Sequence, residues 1–312
     1  MRKVFIQTLI EIAEHDRRVV LLTADLGFMV LEPFVKAYPD RFYNIGVAEA
    51  NMMGIATGMA EAGYIPFVYS IATFASMRAY EQLRDGPILH HLPVRVAGIG
   101  GGFEYGNSGV THYSLEDIGI MRTQPGLQTI VPADPAQTVS AVQQTYQLPG
   151  PIYYRIGKND NLTVPGLNGR FRLNTVETIG DGRDLLILAT GAISAEAVKA
   201  AESLAQQGVS CTVAVVSTLQ PDSTAELAAL LGGFSTAITV EAHFINGGLG
   251  SLVAETIAEN GINCRLIRCG VRSMPSGVSG SEAYMNQLYE LTAEHIVQKS
   301  LAHLQTTKVH LA

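Results

Sequence analysis

Residues 42–70 read FYNIGVAEANMMGIATGMAEAGYIPFVYS: a short apolar strand, a loop, a helix and a longer apolar strand. The helix carries Gly54, Ala56, Gly58, Ala60 and Ala62. Such small side chains let another backbone approach closely, so the helix is expected to be buried. The strand YIPFVYS is apolar at nearly every position instead of alternating, the signature of a parallel strand covered on both faces. The same alternation of strand and helix extends both ways. Upstream, an amphipathic helix pattern over 4–13 precedes VVLLTADLG (19–27), a strand ending in Asp25 and Gly27. Downstream come the helix SMRAYEQLRDGPIL (76–89) and the strand PVRVAGIGGG (93–102), which runs into a glycine-rich loop. The helix SLEDIGIMRTQ (114–124), strand LQTIVPAD (127–134), helix AQTVSAVQQTYQL (136–148) and strand PIYYRIG (151–157) complete the unit.

Residues 159–180, NDNLTVPGLNGRFRLNTVETIG, mix Asn, Pro and Gly without a period and read as a connection. The alternation then restarts with strands at DLLILATG (184–191), VSCTVAVVSTLQP (209–221), FSTAITVEAH (234–243) and NCRLIRCGV (263–271). Helical patterns lie between them, and AYMNQLYELTAEHIVQKSLAHL (283–304) is expected to close the chain as one long helix. The fold class is therefore α/β: two consecutive three-layer domains, each with a mostly parallel sheet. Their expected bounds are 1–160 and 178–312, with 161–177 as linker.

Of the 312 residues, 47% are hydrophobic and 16% charged, enough for a sizeable core and against disorder. So little charge also implies surface hidden in interfaces. Lys+Arg total 21 against 28 Asp+Glu, a net charge of −7 with no basic run, which argues against nucleic-acid binding. No apolar run reaches the ~18–20 residues of a membrane span. MRKVFIQTLIEIAEHD places acids in its apolar stretch and offers no small-residue cleavage site, unlike a secretory signal. A soluble, cytoplasmic protein is expected. Cys211, Cys264 and Cys269 form no CxxC and no zinc-spaced cluster, and read as inert buried thiols.

Glycine is the compositional anomaly, with 31 residues. The triplet Gly100–Gly102 follows a strand, yet GIGGGFEYG has no helix opening at its last glycine, as a dinucleotide fingerprint requires. GDGRD (180–184) runs at once into a strand and reads as a turn. Glu49 opens the small-residue helix in a stretch almost free of other charge. It either complements the helix N-terminus or is a desolvated carboxyl that shares a proton with a ligand. His112 lies in GNSGVTHYSLED, on a loop after a parallel strand, where open α/β sheets place ligands. Its plain alternative is a helix-entry histidine bonded to Glu116. Phe74 alone reads as core, and His90 and His91 as packing or surface residues.

Taken in order, GVAEANMMGIATGMAEAG, VYSIATFASMRAYEQLRD, SGVTHYSLEDIGIMRTQPGLQTIVPADPAQT and IYYRIGK resemble the pyrimidine-binding domain of transketolases. EAHFINGGLGSLVAE and the closing helix resemble their C-terminal domain, so the likeness covers nearly the whole chain. It is most similar to the separately encoded C-terminal component of split transketolases. The resemblance implies a thiamine diphosphate enzyme that transfers a two-carbon ketol unit from a ketose to an aldose. Glu49 matches the carboxyl that bonds the aminopyrimidine nitrogen and favours the imino tautomer, which removes the thiazolium C2 proton. Phe74 matches the aromatic that stacks on the pyrimidine, and Ile71 takes the place of a second aromatic. His112 matches the histidine beside the reacting carbonyl, and Arg155 a basic residue used for a sugar phosphate.

Several family features are missing. The GDG motif with its later asparagine, which holds the diphosphate and Mg2+, is absent, and GDG at 180–182 stands in the wrong domain. A separate N-terminal subunit is therefore expected to hold diphosphate and metal, in an α2β2 assembly, with no metal ligand on this chain. Ser108 replaces the aspartate before GxTH, and Gly100 a phosphate-binding histidine. Gly101 stands where deoxyxylulose phosphate synthases use an arginine, and a phosphate-contacting serine falls near Met29. Losing several anchors together implies a non-standard sugar: one without the usual phosphate, nucleotide-linked or otherwise modified. Two alternatives stay open. One is the β component of a 2-oxoacid decarboxylase or dehydrogenase, or a deoxyxylulose-phosphate-synthase-like enzyme; the other is a non-catalytic regulatory subunit.

Overall fold

The computed structural model describes residues 1–220 and 224–309. Helix α1 (Arg2–His15) leads into β1 (Val19–Thr23), α2 (Glu32–Ala37), β2 (Phe42–Asn44), α3 (Glu49–Glu61) and β3 (Ile65–Ile71). The short helices α4 (Ala72–Met77) and α5 (Tyr80–Leu83) follow, then β4 (Arg95–Ile99), α6 (Asp117–Arg122), β5 (Gln128–Ile130), α7 (Pro135–Thr145) and β6 (Ile152–Ile156). These six strands are parallel, in the order β2-β1-β3-β4-β6-β5. The connection after β1 runs to β2 on one side and that after β3 to β4 on the other, which opens a crevice at the carboxyl ends of these two neighbours. Successive residues of β3 point to opposite faces. Phe67 and Tyr69 pack with Phe5, Leu9 and Phe34, while Val68 packs with Met52, Met53 and Leu83.

The second unit comprises β7 (Val176–Ile179), β8 (Leu185–Ala189), α8 (Ser194–Ala205), β9 (Cys211–Val216), β10 (Thr218–Gln220) and α9 (Thr224–Leu231). It continues with β11 (Thr236–Phe244), α10 (Leu249–Glu259), β12 (Arg265–Val271), α11 (Glu282–Leu288) and α12 (Ala293–Val309). Its sheet runs β12-β11-β8-β9-β7, parallel except at β7. Strand β10 leaves this sheet and pairs antiparallel with β5, Thr218 opposite Ile130, to become the seventh strand of the first. Among the described residues, no helix is long and apolar enough to cross a membrane.

Several local expectations need correction. The helix expected over 76–89 is α4, α5 and a wide turn over Arg84–Ile88, where Pro87 lacks an N–H to continue the ladder. The long closing helix is α11 and α12, interrupted where Glu290 takes φ 58°. The strand expected over 209–221 divides at Ser217 between two sheets, its last residue lying outside the described ones. The connection expected over 159–180 ends in β7. Helix α3 buries Met52, Met53, Ala56 and Ala60 but leaves Gly54 and Gly58 exposed. A Cβ at either glycine would meet nothing within 4 Å, so none of the described residues is a close neighbour at these two positions. Cys264 and Cys269 are buried thiols, and Cys211 is half-buried.

The two units share cores. Ile118 and Val131 pack with Leu186, Leu188 and Leu249, and Phe103, Tyr113 and Leu115 with Ile238 and Met285. A buried histidine pins the seam. His243 Nδ1–H donates to Phe244 O (2.6 Å), and its Nε2 accepts the Gly119 N–H of α6 (3.2 Å). That arrangement requires neutral imidazole, and burial lowers its pKa to about 4. Below the ordinary value of 6.5 the unfolded chain takes up a proton here that the folded chain refuses until about pH 4. Acidification over that window therefore costs the wild-type chain on the order of 3 kcal/mol at this site. The stability deficit of His243→Asn, measured by urea unfolding, should narrow by that amount from pH 6.5 to 4. Glu241, pushed up to about 7 by burial, lies 3.8 Å from His243 and is present in both chains.

Candidate active site

The residues singled out by sequence gather at the carboxyl ends of β3 and β4. Glu49 is the first residue of α3 and is 2% exposed. Its carboxylate accepts a hydrogen bond from Ser70 Oγ (3.1 Å) at the end of β3. It also accepts from Arg78 Nη1, at 3.2 Å to Oε1 and 3.0 Å to Oε2. The sequence suggests an isolated carboxyl; the fold supplies a cation from 29 residues away. The Arg78 guanidinium lies over Phe74, its Cζ 3.8 Å from the ring centroid. Phe74 is half-buried on α4 and meets the His112 ring edge-on, 5.1 Å between centroids at 66°. Half-buried Ile71 ends β3 just before α4.

His112 closes a short turn of 3-10 helix after Gly109, whose φ of 81° favours glycine. His112 Nδ1 bonds the Thr111 hydroxyl (3.0 Å), leaving Nε2 to meet a ligand. The carboxylate of Glu116 instead accepts the Leu115 N–H, so the helix-entry alternative for His112 does not hold. Ser108 is exposed on the preceding turn.

Gly100 is buried with φ 76°, and a Cβ there would lie 2.2 Å from the Tyr105 ring. Tyr105 thus fills the space that a side chain at position 100 would use. Its ring lies 6.3 Å from that of His112, and Lys158 Nζ stands 3.8 Å over its centroid. Burial, then the nearby Arg2 charge, draws Lys158 below its ordinary pKa. A Cβ at Gly101 would collide with the Arg155 guanidinium at 2.3 Å. Arg155 departs from its expected role. It is buried, and its donors go to Asp117 (2.8 and 3.1 Å), Ser114 O (2.8 Å) and Ala242 O (3.1 Å). Burial works to raise the Asp117 carboxyl, but Arg155, His243 and the bond from Tyr153 hold it below the usual range. This cation is spent inside the protein, not offered to a sugar phosphate.

A buried carboxylate beside an aromatic face, with a histidine at its edge, suits a flat, hydrogen-bonding heterocycle. Comparison with known proteins agrees with that geometry. The family model of the transketolase pyrimidine binding domain matches residues 1–161, and that of the transketolase C-terminal domain residues 174–296. The chain belongs to the transketolase family. It is 37% identical to the 6-deoxy-6-sulfo-D-fructose transketolase subunit SqwH of Clostridium sp., over 96% of this chain and 92% of that protein. It is 35% identical to an apulose-4-phosphate transketolase subunit of Phocaeicola vulgatus, over 85% and 86%. A solved structure of a split-gene transketolase, an inactive beta4 tetramer, superposes with a TM-score of 0.88 at 32% identity, over 98% and 97%. The chain is the C-terminal subunit of a split transketolase, a transferase family that depends on thiamine diphosphate.

Sequence reasoning on this transketolase subunit singles out Glu49, Phe74, Ile71 and His112 but assigns no role to Arg78, Ser70, Tyr105 or Lys158. Arg78 opens the RAYEQ stretch as the first charged residue after Glu61, and a cation four residues past an aromatic is the available signal. Tyr105 carries no signal until the bare Gly100 is seen in space. Gly100→Ala should destabilise the subunit by about 2 kcal/mol or more, from the collision and from positive φ. Adding Tyr105→Ala should recover the collision part and leave about 1 kcal/mol, read as coupling in a double-mutant cycle by chemical denaturation.

Proposed function

We propose that this chain forms an α2β2 transketolase with an N-terminal subunit that holds the diphosphate and Mg2+ of the cofactor. Its own share is the aminopyrimidine and part of the sugar. When bound, thiamine diphosphate supplies the carbon nucleophile that carries the two-carbon unit. Glu49 bonds a ring nitrogen and holds a proton there, Phe74 packs against the ring and excludes water, and Ile71 completes the apolar wall. His112 presents Nε2 toward the carbonyl oxygen of the sugar and exchanges a proton with it. The observation that carries this reading is the juxtaposition of buried Glu49, the Phe74 face and His112 at one end of the first sheet.

The surface around that site supports a partner. Phe28, Met29 and Val47 are 82, 88 and 70% exposed, and Met77 and Val110 are also exposed. Val47, Met77 and Val110 stand within two residues of Glu49, Arg78 and His112 in the chain, and Phe28 and Met29 lie on the loop after β1, where Met29 holds φ 62°. An apolar rim of this kind, beside the bare Gly54/Gly58 face of α3, suits a buried interface. The split-gene relative is an inactive tetramer of beta chains alone, which fits a requirement for a second subunit.

The substrate we propose is a ketose lacking the usual terminal phosphate contacts, or modified at that end. Tyr105 fills the place of an anchor at position 100, Arg155 is committed internally, and Ser108 offers a hydroxyl where the family has a carboxylate. Two relatives carry unusual sugars in their names, 6-deoxy-6-sulfo-D-fructose and apulose-4-phosphate. Identifying the partner by co-purification and assaying the pair on a panel of ketose donors tests both parts. We expect turnover of a modified ketose and weak turnover of xylulose 5-phosphate with ribose 5-phosphate; efficient turnover of the latter would overturn the substrate reading. In the same pair, Glu49→Gln and His112→Asn should each lower kcat by about 10²–10⁴, the range of a lost acid–base group.

A further inference from the structure

We propose that Arg78 holds the place of the cofactor's aminopyrimidine until the cofactor arrives. The chain offers a flat heterocycle two things: the face of Phe74 and the oxygens of Glu49. One side chain occupies both. The guanidinium is planar, with its N–H groups in the plane, as an aminopyrimidine is. It lies at stacking distance, 3.8 Å, over Phe74, and its Nη1 reaches both Glu49 oxygens at 3.0 and 3.2 Å. A ring that uses that face and those oxygens competes with Arg78 for both.

The contact is both needed and releasable. Without Arg78, buried Glu49 would keep only the Ser70 hydroxyl, and a buried carboxylate with so few partners is costly. Arg78 itself is 46% exposed at the end of α4, so nearly half of its side chain has no packed neighbour within this chain. Its backbone N–H stays bonded to Phe74 O (3.1 Å), which keeps the helix end in place as the side chain moves. Arg78 is thus a positioning residue of this site. It holds Glu49 and Phe74 in register for the ring, and it lowers the apparent cofactor affinity by the fraction of chains in which it is seated.

The inference rests on the cofactor reading above, and the test separates the two. Thiamine diphosphate is titrated, with Mg2+ present, into the reconstituted pair of subunits by calorimetry. Wild type, Arg78→Ala and Arg78→Lys are compared, each checked by circular dichroism and thermal unfolding. Arg78→Ala should bind the cofactor about three- to tenfold more tightly, with Arg78→Lys between it and wild type. The cofactor-free Arg78→Ala pair should melt several degrees below wild type, and the gap should close at saturating cofactor. Adding Glu49→Gln to Arg78→Ala should restore most of the cofactor-free midpoint, and this keeps the test usable if the single variant folds poorly. Unchanged or weaker binding by Arg78→Ala, or a melting gap that persists at saturation, overturns the inference. A wild-type pair that takes up no thiamine diphosphate sinks the proposed function, and this inference with it.

Discussion

The ion pair between Arg155 and Asp117 is the constraint on which the rest of this subunit depends. Both side chains are buried, and a buried charge survives only with close partners and satisfied hydrogen bonds. Arg155 stands on β6, Asp117 starts α6, Ser114 precedes that helix, and Ala242 belongs to β11 of the other unit. Tyr153 adds its hydroxyl to the same carboxylate (2.7 Å). One guanidinium thereby fixes the sheet, the base of the His112 loop and the seam between the units. Gly101 and Gly102 are bare because Arg155 and Ala242 press against them. The glycine richness of this loop is thus a consequence of close packing, not of a phosphate cradle.

Most of the architecture is legible in the sequence because parallel strands buried on both faces leave a plain trace of uninterrupted apolar runs. Where the reading errs, the deciding force is tertiary. β10 follows β9 with only Ser217 between them and no turn residue to mark the break, and the free edge of β5 is what draws the chain to the other sheet. α11 and α12 share one continuous helical pattern, broken by the positive φ at Glu290. At the site, Glu49, Phe74 and His112 are legible because each stands in a distinctive local stretch. Arg78 reaches Glu49 across 29 residues, and Tyr105 reaches Gly100 by a turn of loop, so neither contact has a local signature. Arg155 shows the opposite failure. Its family position suggests a ligand contact, whereas Asp117 claims it.

The site also has a layered logic. Ser70, Glu49 and Phe74 belong to regular elements at or beside the end of β3 and are held by them. His112, Ser108 and Tyr105 belong to a loop built from short turns and glycines. On the proposed reading, the cofactor ring would rest on the rigid part, and the sugar with its proton exchange at His112 on the loop. A substitution on the loop can alter the sugar pocket without moving the carboxyl beneath it.

The crossing of β10 has a bearing on how the chain is made. The β5 edge of the first sheet stays open until residues 218–220 have emerged from the ribosome, after β8 and β9 have been synthesised. Until then the nascent polypeptide carries an uncapped row of peptide groups, the kind of template on which strands of other molecules pair. Closure by an antiparallel segment from the later unit ends that exposure. It also means that a fragment truncated at the junction between the units would keep the sticky border that the intact protein seals.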